Sequence, residues 1–173
     1  MAKKKNYVNN PDFYAAMVEY QKEIKLAEEQ GKDKPQVPKY IAECISLIAT
    51  RLSYKPNFIN YTFREDMIGD GIENSLRYMH NFNPDKTQNP FAYFTQIIYY
   101  AFLRRIQKEK KYLYTKFKAT ENANLMGETA DIQGHDVSGN FDSDIKSSDG
   151  AQEYMSDFIK NFENSKTKKK VVE

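Results

Sequence analysis

The sequence predicts an all-α protein: a compact domain of about four helices, then a flexible acidic C-terminal segment ending in a short helix. Three observations carry that prediction. Apolar residues recur every three or four positions along four separate stretches. Asn-Pro pairs open two of those stretches, each a cap residue followed by the proline that suits a first helical turn. Alternating apolar and polar runs, which a half-buried strand needs, are almost absent.

The first helix is expected to open at Asn10-Pro11, carry Phe13, Met17, Tyr20, Ile24 and Ala27 on one face, and stop at Gly31. Pro35 and Pro38 mark a connection. The second is expected over residues 38–54, with Ile41, Ile45, Ile48 and Leu52 as its stripe and Pro56 beyond its end. The third is expected over residues 63–80, with Ile68, Ile72, Leu76 and Met79 turned inward. A turn-rich "NFNPDKTQNP" follows, and Asn89-Pro90 opens the fourth helix. Residues 119–150 are rich in Gly, Ser, Asn and Asp, and read as a flexible acidic linker that cannot offset its ordering entropy by burial. An apolar pattern returns in "EYMSDFIKNFE" before a basic tail, so the third segment is residues 151–173.

At 173 residues the chain can bury a core without staples. One cysteine, Cys44, excludes a disulfide framework and suits a reducing compartment. No apolar run is long enough for a membrane span, and the start "MAKKKNYVNN" has no apolar h-region, so neither membrane association nor secretion is expected. Net charge is only +2, but it is unevenly placed. Residues 104–118 hold seven Lys/Arg and one Glu, whereas residues 119–163 hold ten acids and two lysines.

The most informative stretch is "FAYFTQIIYYAFLRRIQKEKK", which is aromatic and then abruptly basic. With Ile98 at the centre of a helical face, Phe91, Phe94, Thr95 and Phe102 fall within about 60° of it. Tyr93, Gln96, Tyr100, Leu103 and Gln107 fall within about 40° of the opposite pole, with Arg104 beside them. An outward Tyr/Gln/Arg face followed by a basic run suits nucleic acid: rings stack on unpaired bases, amides read base edges and cations track phosphates. The same face equally suits packing against another helix or a partner protein.

Other chemistry is sparse. His80, His135 and Cys44 show no metal-ligand spacing. Asp142, Asp144 and Glu153 mimic part of a calcium loop, but Lys146 takes a ligand position and the central glycine is missing. Neither a phosphate-binding glycine loop nor a nucleophile elbow is present. No catalysis, cofactor or metal is expected.

Residues 65–111 resemble the second conserved region of bacterial sigma factors of the sigma-70 class. Asp66, Met67 and Ile68 followed by Asp70-Gly71 resemble that family's polymerase-binding helix. "NFN" at positions 81–83 resembles its turn, and "FAYFTQ" with Arg104, Arg105 and Ile106 resembles its promoter-melting helix. Within the family, "NYVNN", "MIGDGIENSLRYMHNFNPDK" and "NPFAYFTQIIYYAF" look like the late-transcription sigma factors of T-even-like bacteriophages. The resemblance covers roughly residues 6–118, the expected region-2-like domain.

That resemblance implies a factor that binds host core RNA polymerase and melts the minus-ten-type element of late promoters. Tyr93 matches the tyrosine that stacks on a flipped-out adenine. Gln96 and Ile97 stand where larger members carry paired tryptophans, so Tyr93, Phe94 and Tyr100 are expected to share the wedge. Tyr100 and Leu103 match positions facing the upstream edge of the element. Arg104 matches a phosphate contact, which Arg105, Lys108, Lys110 and Lys111 extend. Asp66, Gly69, Asp70 and Glu73 lie on the helix that grips the clamp coiled coil of the largest polymerase subunit, although Gly69 replaces a polar family residue. The family's usual C-terminal helix-turn-helix has no counterpart after residue 118. The phage members use a sliding clamp and a late co-activator instead, and Tyr154, Met155, Phe158, Ile159 and Phe162 are the candidate clamp-binding peptide. The alternative fates of those aromatics are docking on their own domain or, for the whole chain, service as a helical polymerase adaptor or a non-specific single-strand binder. The expected location is the cytoplasm of an infected bacterium.

Overall fold

The computed structural model describes the backbone of residues 7–131 and 149–170, with side chains for residues 7–123, 150 and 152–165. Five α-helices, α1 (Asn10–Glu29), α2 (Lys39–Ser53), α3 (Arg64–Tyr78), α4 (Pro90–Asp131) and α5 (Asp149–Lys170), account for most of them. A single 3₁₀ turn, Met79–Asn81, extends the end of α3. Among the described residues there is no strand. The all-α class is therefore correct. None of the helices is long and apolar enough to cross a membrane, among the described residues. The chain divides into two units, Met1–Ile106 and Gln107–Glu173.

In the first unit α1 and α2 follow their sequence patterns. Pro11 sits in the first turn of α1, after an extended Asn9. Gly31, at φ 63°, closes α1: its N–H donates to the Glu28 carbonyl and the Lys32 N–H to the Ala27 carbonyl. Those two bonds are the glycine-terminated C-cap that only a residue without a Cβ adopts cheaply. Phe13, Met17, Tyr20 and Ile24 are buried from α1, and Ile41, Ile45, Ile48 and Leu52 from α2. Phe94, Ile98 and Phe102 of α4 complete the core and are fully buried. Phe13 stacks on Phe94 with ring centroids 5.6 Å apart, and Phe58, from the α2–α3 connection, meets Phe102 edge-on at 5.1 Å. Each such ring contributes about 1.5–3 kcal/mol by burial. The Gln21 side chain, itself buried, donates to the Met79 carbonyl at 3.0 Å and satisfies a helix-end acceptor.

Helix α3 departs from expectation. Its buried residues are Met67, Gly71 and Ser75, with Met79 just beyond. Ile68 and Ile72 are only half-buried, and Leu76 is exposed. The inward stripe is thus one position earlier than the apolar pattern suggested. The reason is close packing. A Cβ on Gly71 would lie 2.9 Å from Ile98 Cγ2 and 3.1 Å from Phe102 Cε1. Small residues bring α3 against α4, and the branched aliphatics flank the contact. The Ser75 hydroxyl meets its own helix, donating to the Gly71 carbonyl at 2.8 Å.

The second unit corrects two further expectations. Residues 119–131 are not linker: α4 runs on to Asp131, 42 residues in all. Ala, Glu, Leu and Met predominate there over Gly and Pro, so helical propensity outlasts the aromatic pattern. Helix α5 is not short, since it spans 22 residues. The rest of the expected linker, residues 132–148, lies outside the described residues, as do Asp142, Asp144 and His135. Within this unit α5 packs on α4 through rings. Tyr114 stacks on Phe162 at 4.5 Å, and Phe117 meets Phe158 edge-on at 5.4 Å. Ile159 is buried.

The glycines of α3 offer a direct test. Gly69 is exposed, and an added Cβ there meets nothing within 4 Å. Gly69→Ala is expected to stabilise the fold by ~0.5–1 kcal/mol through helix propensity. Gly71→Ala is expected to destabilise it by about 1 kcal/mol or more, because overpacking of about 1–3 kcal/mol outweighs the same gain. Urea denaturation of the two variants should therefore give midpoints on opposite sides of the wild type.

Candidate nucleic-acid interface

The face in question is organised by the first turns of α4. The Asn89 side-chain oxygen accepts the Ala92 N–H at 3.0 Å, and Asn10 of α1 accepts the Phe91 N–H at 3.2 Å. The start of the helix is thereby fixed in rotation. Phe94, Ile98 and Phe102 point to the core, and everything opposite them points out.

The outward residues fall into two groups. Gln96, Tyr100 and Arg104 are exposed, Tyr100 by 51%. Tyr93, Ile97 and Leu103 are half-buried against the core. Tyr93 is pinned: its hydroxyl donates to the Tyr78 carbonyl at 2.9 Å, and its ring lies edge-on to Phe82 and Phe94. Burial raises the Tyr93 phenol pKa, so it stays a protonated donor. Tyr93 thus carries structure as well as any contact role, whereas Tyr100 offers an open ring. Phe94 is a correction. It was expected to share the wedge, but it is fully buried and stacked on Phe13, so it supports the face from beneath.

Beside this face lies an open groove of roughly 500 Å³, bordered by Lys55, Phe58, Thr95, Gln96, Tyr99 and Tyr100. That volume is within the usual range of about 300–1,000 Å³ for a small-ligand pocket. Tyr99 is set edge-on between Phe58 at 5.6 Å and Tyr100 at 5.9 Å, so the two tyrosines form one angled wall. The groove escaped sequence reasoning. Phe58 and Lys55 sit in a connection with no periodicity, and Tyr99 lies on the flank of the helical face.

The cations also divide. Arg104 is exposed and donates from Nη2 to the Asn74 side-chain oxygen at 2.9 Å, while Asn74 donates to the Asp70 carbonyl at 2.7 Å. Arg105 is not part of an open basic surface, which is a second correction. Its side chain is only 16% exposed and lies 3.2 Å from Asp66 and 3.6 Å from Asp70. The carboxylates drew it inward, because both stand one turn apart on α3 and face α4. Glu73 pairs instead with Arg77 of its own helix at 2.6 Å. Lys108, Lys110 and Lys111 are exposed on α4 in the second unit.

The proposed clamp-binding residues are already engaged within the second unit. Met155, Phe158 and Phe162 are half-buried, Ile159 is buried and Tyr154 is exposed. The Phe162 ring stacks on Tyr114 of α4, and the Tyr154 and Phe158 rings meet Phe117 edge-on. The Tyr114 hydroxyl donates to Glu163 at 2.8 Å, and Lys118 lies 3.7 Å from the same carboxylate. Cys44 is buried, and burial raises its thiol pKa, which suits a packing role rather than a reactive one. Among the described residues no group of three His, Cys, Asp or Glu side chains is placed to hold a metal.

The Tyr114–Glu163 bond makes a pH prediction. The bond raises the Tyr114 phenol above its ordinary value of 10.0, because Glu163 accepts a hydrogen bond only from the neutral form. A raised folded value means the contact is fully present below pH 10 and is lost as pH climbs through the folded pKa. Following the Tyr114 ring by NMR, the wild type should titrate above the unfolded value, and Glu163→Gln should bring the titration back toward it. An unchanged titration in Glu163→Gln would contradict the bond.

No protein-family model matches this chain, and no curated protein sequence matches it.

Proposed function

We propose that the chain is a sigma-type initiation factor that binds bacterial core RNA polymerase and captures the melted minus-ten-type element of late promoters. The observation that carries this reading is the row Gln96, Tyr100 and Arg104, all exposed on one face of α4, of which Gln96 and Tyr100 also line the groove walled by Tyr99 and Tyr100. A ring, an amide and a guanidinium at one-turn spacing match what an unpaired strand offers: a base face, a base edge and a phosphate. The groove beside them has room to receive a base turned out of its stack. No bond is made or broken in this reading. Melting is driven by binding free energy, since each captured base returns part of the stacking lost on opening.

The remaining assignments follow the sigma resemblance. Asp66, Gly69, Asp70 and Glu73 face the clamp coiled coil of the largest polymerase subunit. Lys108, Lys110 and Lys111 run along the DNA backbone. A phage sliding clamp and a late co-activator are the further partners, in the cytoplasm of the infected host. The α5 aromatics meet a condition here. Phe158 and Phe162 are packed on Phe117 and Tyr114, so a clamp groove that takes them must compete with α4.

The test is Tyr100→Ala in a polymerase-dependent melting assay. Tyr100 is exposed, so thermal stability should stay within about 0.5 kcal/mol of wild type. Open-complex formation, read by permanganate reactivity of unpaired thymines, should fall by the ~1–3 kcal/mol of a lost stacking surface. Wild-type reactivity would refute the role. A variant that instead loses polymerase binding would favour a helical adaptor without DNA contact. Equal binding to any single strand without polymerase would favour a general single-strand binder.

A further inference from the structure

Helix α2 buries one face and leaves an apolar line open on another. Ile41, Ile45, Ile48 and Leu52 point into the core. Roughly 130° away around the same helix, Tyr40, Leu47 and Tyr54 recur at seven-residue spacing. They are 40%, 43% and 53% exposed. Tyr54 is the C-cap residue and keeps helical backbone angles, so it continues the line. Seven residues is close to two turns, and the three side chains lie along about 21 Å of helix. Glu43 and Arg51 flank the line, each within about 40° of Leu47, and both are exposed. Their own contacts are at the edges: Glu43 is 3.7 Å from the exposed Lys39, and Arg51 lies over the Tyr7 ring at 5.6 Å. Arg64 lies over the Tyr54 ring at 4.8 Å. Leu47, at the centre, stays open. Single exposed apolar residues are ordinary, but an aligned set bordered by charges has the composition of an interface.

The order of these residues has a symmetry. Read from either end it is tyrosine, charge, leucine, charge, tyrosine, with opposite charges at the mirrored positions four residues from Leu47. A second α2 laid antiparallel across Leu47 sets Tyr40 of one copy against Tyr54 of the other. It also sets Glu43 of one copy against Arg51 of the other, and two-fold symmetry makes each pairing twice. Laid parallel, the same face would oppose Glu43 to Glu43 and Arg51 to Arg51. Charge therefore selects the antiparallel arrangement.

We propose that this face is a self-association surface, through which two copies of the chain pair with α2 antiparallel and centred on Leu47. The apolar line supplies the attraction, and the mirrored charges set direction and register. One face of a 15-residue helix is smaller than the ~800 Å² per partner of a standard interface. Pairing is therefore expected to be weaker than about 1 µM and to weaken further with salt.

The test is sedimentation equilibrium of the full-length chain from about 5 to 500 µM, which spans that range of dissociation constants. The wild-type average mass should rise toward that of two chains. Glu43→Arg or Arg51→Glu alone opposes like charges twice, and each should weaken pairing at least about fivefold. Leu47→Glu, which brings two carboxylates together at the two-fold axis, should do the same. An equal mixture of the Glu43→Arg and Arg51→Glu chains should recover wild-type pairing within about twofold, because each copy then offers the charge the other needs. Mixing cannot repair a damaged fold, so recovery reports the pairing itself. A wild type that stays monomeric throughout overturns the proposal and leaves the face to a different protein. Pairing that ignores the charge variants also overturns it, since another surface then carries the dimer. A mixture that fails to recover overturns the antiparallel arrangement.

Discussion

The contact on which the first unit depends is the approach of α3 to α4 at Gly71. With only a hydrogen on its Cα, Gly71 lies against Ile98 and Phe102, both fully buried. Helix separation is set by the side chains at the contact, and here one side chain is missing. Every polar link along the seam needs that closeness. The Tyr93 hydroxyl reaches the Tyr78 carbonyl, Arg104 reaches Asn74, and Arg105 reaches Asp66 and Asp70. Widening the seam by one methyl group would lengthen all of them. The same approach fixes the rotation of α4, and with it the residues the helix presents to solvent.

The seam also sorts the positive charge. By sequence the run from Arg104 to Lys118 is strongly cationic. In the fold that charge is partly spent inside the molecule. Arg105 is held by α3, and Lys118 lies 2.9 Å from Glu121 and 3.7 Å from Glu163. Arg104, Lys108, Lys110, Lys111 and Lys116 remain exposed. Five open cations limit the phosphate contacts this run can make, so on the proposed reading its grip on DNA should be weak when it acts alone. This suits a factor whose DNA binding is completed by a partner.

Helices α1 and α2 were legible because large apolar side chains mark their buried faces at regular spacing. The Asn89-Pro90 start of α4 and the Gly31 stop of α1 were legible for a similar reason, whereas the cap of α1 is Asn9, one residue before the expected Asn10. Helix α3 was misread by one position because its buried face is built from Gly71 and Ser75, which an apolar count does not register. The extension of α4 past residue 118 was missed for the opposite reason. Its Ala, Glu and Leu residues form helix readily but show no strong apolar face, so composition suggested a linker. In the candidate site the open row of Gln96, Tyr100 and Arg104 was readable from helical geometry. So was the burial of Phe94, which falls on the Ile98 side of the same helix; the pinning of Tyr93 and the capture of Arg105 were not, because each depends on a partner from α3 or a connection. Long-range partners of that kind leave no local pattern.

In the function proposed above, the exposed face of α4 acts on promoter DNA within a polymerase complex. Run-off transcription with purified bacterial core polymerase on an A·T-rich late-type promoter tests it most directly. Specific transcripts are expected when chain and core are combined, none from core alone, and none when the minus-ten-type element is scrambled. Core binding without promoter-specific transcripts would contradict it.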